Sequence, residues 1–170
     1  MNEKLGKPAP PALFHVLIET EKTHDVKNPT MTMKKVVLER KPHEPWVTEQ
    51  GDQLIYHLPV DRGHTAIEFT FVITPDQLAI LKSDEERYYF LFAVLHQWYQ
   101  EMHPGYGPKA DPHFGIVLHG TETAVENLLN VRNAKSNGAV SNLIRMNMGR
   151  APEPVEAGRW FDKSREDQSK

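Results

Sequence analysis

The chain has 170 residues, enough for one domain with a real core and too few to expect two. Hydrophobic residues at 39% and charged residues at 25% suit a folding globular chain, and a formal charge of −3 leaves no basic footprint for nucleic acid. With no cysteine, disulfides, cysteine-rich zinc sites and thiol nucleophiles are excluded, so any chemistry rests on histidine, acids, hydroxyls or lysine.

Residues 1–11 carry Pro8, Pro10 and Pro11 and are expected to form a flexible lead. This N-terminus lacks a basic region followed by an apolar stretch, so the expected compartment is cytoplasmic, with no membrane association. Phe14, Val16 and Ile18 alternate with their neighbours and predict a strand; KKVVLER over 34–40 predicts a second, ended by the prolines of KPHEP. WVTEQ and LIYHLPV flank Gln50, Gly51 and Asp52, a hairpin turn. For the next hairpin, a two-residue turn at Arg62-Gly63 sets Leu58 against Ile67, Tyr56 against Phe69 and Leu54 against Phe71, every pair apolar. A slip of one residue would pair apolar with polar throughout. The same register sets Asp61 against His64 and His57 against Glu68 on a polar face.

Thr74-Pro75-Asp76-Gln77 reads as a capping box that opens a short helix. Ser83 with Glu86 reads as another, opening a long apolar helix over 83–103 in which Tyr88, Leu91, Phe92, Leu95, Tyr99 and Met102 form one stripe. HPGYGPKADP, with two glycines and three prolines, ends it. FGIVLH over 114–119 is continuous and apolar, as in a buried strand. A second helix follows over about 121–136, where Val125, Leu128, Leu129 and Arg132 share a face and Asn137-Gly138 is the stop. AVSNLIRMNM is expected to be a final strand. The organisation is therefore one α+β domain over 12–148, an antiparallel sheet packed against helices, with an extended or partly disordered tail over 149–170.

The nine histidines raise the question of a metal site. His96 and His103 stand seven apart on one helix, about 10 Å along its axis, too far for one ion. His103, His113 and His119 lie close in sequence but match no standard ligand spacing, so neither a metal nor another cofactor is expected. His57 with Glu68 has the composition of an acid–base pair without an accompanying nucleophile motif, and no G-x-S-x-G elbow occurs. The asparagines at 127, 130, 133 and 137 read as a solvated helix stripe.

The run ITPDQLAILKSDEERYYFLFAVLHQWYQ, with the preceding IYHLPVDRGHTAIEFTFVI, resembles the small cytosolic immunity proteins of bacterial polymorphic-toxin and contact-dependent inhibition systems. The resemblance covers about the middle third of the chain and carries over no functional residue. It implies a binding protein rather than an enzyme: a monomer or homodimer that occludes the active site of one cognate protein toxin in the cytosol. The face expected to make that contact is the polar side of the hairpin, His57, Asp61, Arg62, His64 and Glu68, with Tyr106. The rival readings are a small enzyme using His57 and Glu68 or a metal held by His103, His113 and His119, and a scaffold that self-associates through the long helix.

Overall fold

The computed structural model describes residues 34–101 and 112–162, Arg62 by its backbone alone. The lead over 1–11, the strand expected around Phe14, and His103 and Tyr106 in the breaker-rich loop lie outside the described residues. Four strands, β1 (Lys35–Glu39), β2 (Trp46–Gln50), β3 (Gln53–Arg62) and β4 (Thr65–Ile73), form an antiparallel sheet in sequence order. Helices α1 (Pro75–Ser83), α2 (Glu85–Glu101), α3 (Pro112–Phe114), α4 (Glu122–Lys135), α5 (Ala139–Met148) and α6 (Pro152–Glu156) follow, so the fold is α+β. Among the described residues no helix is long and apolar enough to cross a membrane.

The inner face of the sheet carries Val47, Tyr56, Leu58, Val60, Phe71 and Ile73, all buried. Helix α2 lies over it, and every residue from Tyr88 to Leu95 is buried, so it is covered on all sides. Burying one such large side chain contributes about 1.5–3 kcal/mol, so the run of buried residues in α2 stabilises the fold substantially. Aromatic edges lock this layer: Tyr56 meets Phe114 at 5.3 Å between ring centroids and Phe71 meets Tyr99 at 5.4 Å.

The helix expected from 83 to 103 begins at Glu85 rather than at Ser83, and the described residues carry it unbroken to Glu101. Ser83 ends α1, its hydroxyl donating to the Ala79 carbonyl at 2.9 Å, and Asp84 is the residue that caps α2, accepting from Arg87 N–H at 3.0 Å. A short carboxylate caps as well as a serine, and only Asp84 stands outside helical geometry, with φ −115° and ψ 98°. The Thr74–Gln77 capping box forms as read, with both reciprocal bonds present.

The β3–β4 register differs from the sequence reading by two residues: Leu58 faces Phe69, Tyr56 faces Phe71 and Leu54 faces Ile73. The turn is Gly63-His64, closed by Arg62 and Thr65. Gly63 alone is left-handed there (φ 63°), as a two-residue turn with glycine at its first central position requires. A shift of two leaves each residue on its own face, so the apolar pattern could not distinguish the two registers.

FGIVLH is not a strand. Phe114 closes α3 and Gly115–His119 winds as a π-helical turn, with Arg87 donating to the Val117 carbonyl at 2.6 Å. AVSNLIRMNM is also helical, as α5. Asn137 (φ 50°) and Gly138 (φ 87°) reverse the chain after α4, and Gly138 N–H bonds the Asn133 carbonyl at 2.9 Å in a Schellman-type closure that leads directly into α5. Residues 149–162, read from sequence as extended, hold α6 and bury Val155 and Trp160. Trp160 donates its indole N–H to Asn130 at 2.8 Å and its backbone N–H to Glu126 at 2.9 Å, so Asn130, exposed as the asparagine stripe was expected to be, also serves this clasp. Arg150 ties the segment to α2 by bonding Glu86 and the Trp160 carbonyl.

Candidate functional site

The site is built on the outer face of the sheet, where pairing sets Trp46 beside His57 and His57 beside Thr70. The Trp46 indole and the His57 imidazole lie parallel, 4.8 Å apart with 1° between their planes. Thr48, two residues along β2, places its hydroxyl 2.9 Å from His57 Nε2, and Glu68 places a carboxylate oxygen 2.7 Å from His57 Nδ1. Glu68 sits opposite Pro59 and reaches His57 along the diagonal, so the expected pair forms, though not as direct cross-strand neighbours. Gln50 completes the chain by donating to the Thr48 hydroxyl at 3.0 Å.

Hydroxyl, imidazole and carboxylate stand here in the distance relation of a nucleophile, its base and an orienting acid. Accessibility decides against that use: Thr48 is 0% exposed and His57 2% exposed, so no carbonyl carbon can approach the hydroxyl. What the chain of bonds does is fix its outer members, the Trp46 ring and the Glu68 carboxylate.

Those two line a groove of about 440 Å³ together with Val36, Glu39 and Glu44. Val36 and Glu39 would ordinarily face opposite sides of β1. A β-bulge between Val36 and Leu38 restores them to one side, Val36 opposite Thr48 and Glu39 opposite Trp46. The β1–β2 loop closes one end of the groove, with His43 in a left-handed conformation (φ 67°). Glu44, 5% exposed, accepts from the Tyr89 hydroxyl at 3.2 Å and pairs with Lys41 at 3.5 Å. Tyr88 donates to the Pro45 carbonyl at 2.7 Å, while Arg40 lies over the Tyr88 ring and bonds the Leu81 carbonyl. Burial pushes both tyrosine hydroxyls upward, which keeps them protonated as donors. The loop is thus pinned to α1 and α2, and the groove has rigid walls.

Of the residues expected to contact a partner, His57 holds the face from beneath and Glu68 lines the groove. Asp61 and His64 are exposed toward the hairpin end, with the Asp61 carbonyl taken by Gln100 at 3.2 Å, and Arg62 closes the turn. Tyr106 lies outside the described residues. His113 is buried against Trp98 and bonds Arg132 at 3.2 Å, and His119 is exposed. Among the described residues no group of three or more histidines and acids could hold a metal ion. The sequence reading missed Trp46, Glu39, Glu44 and Thr48. Trp46 carried a signal, a lone tryptophan at the head of a strand opposite a histidine, whereas the bulge that brings Glu39 in had none.

A larger cleft of about 710 Å³ lies beside the C-terminal clasp. Volume does not make it the better site, because its polar groups are largely committed internally: Arg150 to Glu86 and Trp160, and Glu126 to Trp160. Comparison with protein-family models, with curated proteins and with solved structures gave no match.

Proposed function

We propose that the chain is a binding protein of the immunity type: it docks stoichiometrically on a cognate protein toxin and covers that toxin's active site. The observation that supports this is the outer-face groove, whose aromatic and acidic walls are held by buried bonds while the Thr48 hydroxyl beside His57 is closed to substrate. A surface organised before contact binds with less ordering cost, which suits an inhibitor that must engage its target quickly and hold it. The contact surface runs from the groove at Trp46, Glu39 and Glu68 toward the hairpin end at Asp61 and His64. The buried His57 supports this surface and makes no direct contact.

Co-expression tests the reading. The chain should copurify in a 1:1 complex with the toxin encoded beside it and should restore growth to cells making that toxin. Growth arrest undiminished by the chain, with no complex recovered, overturns the proposal.

A further inference from the structure

The walls of the groove differ in charge from the chain as a whole. Among the described residues that line it stand three carboxylates, Glu39, Glu44 and Glu68, and neither a lysine nor an arginine. Glu44 is already answered by Lys41 and Tyr89, so its charge is largely spent. Glu68 engages His57 through one oxygen, and its side chain remains 45% exposed. Glu39 is exposed and has no ion pair or hydrogen bond among the described residues. Trp46 lines the groove with these two, one face of its ring stacked on His57.

An acid cluster alone would suit any cation, and the flat aromatic wall is what narrows the choice. A metal ion needs convergent oxygens, and no such convergence exists among the described residues. An ammonium group is a compact, strongly hydrated point charge that gains little from a plane. A guanidinium is planar, sheds water more readily, stacks on indole and meets carboxylates through its forked donors. From this charge and shape complementarity we propose that the groove receives an arginine side chain of the partner protein, its guanidinium laid along Trp46 and bonded to Glu39 and Glu68. The inference rests on the partner-binding reading above and specifies its anchor, with His57 as the positioning residue beneath it.

The probe is a capped tetra-arginine peptide, with tetra-citrulline as its neutral isostere, titrated into the full chain and followed by the indole N–H resonances of the three tryptophans. The expected result is a saturable shift at Trp46 alone, absent with citrulline and weakened as salt rises. Glu39→Gln should weaken binding about tenfold or more. Because Glu39 is exposed and bears no internal bond, this variant leaves the fold intact, whereas Trp46→Leu also removes the cover over His57. No shift at Trp46, an equal response to citrulline, or unchanged affinity in Glu39→Gln each overturns the arginine assignment. Binding of the peptide by a chain that protects against no toxin would sustain this inference and refute the immunity reading. A toxin complex indifferent to Glu39→Gln would do the reverse.

Discussion

Trp160→Ala tests whether the segment after α5 belongs to the folding unit. Trp160 is fully buried, and its two N–H groups reach Asn130 and Glu126 on α4. Truncating a buried tryptophan costs about 3–5 kcal/mol through lost burial and the cavity left behind. For a chain of this size each kcal/mol lowers Tm by about 2–4 °C, so the expected fall is about 6–20 °C. Trp160→Phe separates the contributions: it keeps most of the apolar volume, deprives Asn130 of its donor, and should cost about 1–2 kcal/mol. Pairing it with Asn130→Ala in a double-mutant cycle should give a coupling of about 0.5–1.5 kcal/mol. Urea unfolding followed by far-UV circular dichroism reads all of these, with the slope against urea unchanged if only stability moves. A loss below about 1 kcal/mol for Trp160→Ala would refute the reasoning and return residues 149–162 to the status of an independent tail.

Three further outcomes follow from particular contacts. The Tyr56 hydroxyl is buried with no hydrogen-bond partner among the described residues, and an unsatisfied hydroxyl costs about 1–3 kcal/mol, so Tyr56→Phe should leave stability unchanged or raise it by up to about 2 kcal/mol in the same urea assay. A Cβ at Gly120 would stand 2.3 Å from the Ile116 carbonyl oxygen, the acceptor of Gly120's own N–H; Gly120→Ala should therefore destabilise by about 1–3 kcal/mol and speed amide exchange across Gly115–His119. Burial lowers the His96 pKa, an effect that Asp61 partly opposes, so the unfolded chain takes up a proton there before the folded one does. Stability should thus be full above about pH 6.5 and decline as pH falls from there through the folded value, and His96→Gln should flatten that part of a stability–pH profile.

What could be read from the amino acids alone follows from the physics of each signal. The strands over 34–40 and around Gln50-Gly51-Asp52, the Thr74 cap and the helix near 121–136 were legible because alternation, turn glycines and capping residues act locally. The β3–β4 register was legible only as to face, since a two-residue slip conserves the pattern and Gly63 can occupy either central turn position. FGIVLH was ambiguous because a short continuous apolar run fits a strand or a buried helix equally. Its helical form depends on distant contacts such as Arg87 with the Val117 carbonyl. In AVSNLIRMNM the spacing of Val140 and Ile144, four apart and both buried, is a helical sign, but Asn137-Gly138 fits the end of a helix and a corner between two helices equally. Within the site, the pairing of His57 with Glu68 was legible from alternation. The inclusion of Glu39 depends on an irregularity of pairing, and that of Glu44 on tyrosines some 45 residues away.

The most direct test is calorimetric titration of the chain with a catalytically inactive form of the proposed toxin partner, alongside the Glu39→Gln/Glu68→Gln double variant. The account predicts 1:1 binding, with affinity reduced at least about tenfold in the variant and a smaller difference at high salt. Equal affinities for the two chains would contradict the placement of the docking surface, and no heat of binding for either would contradict the function itself.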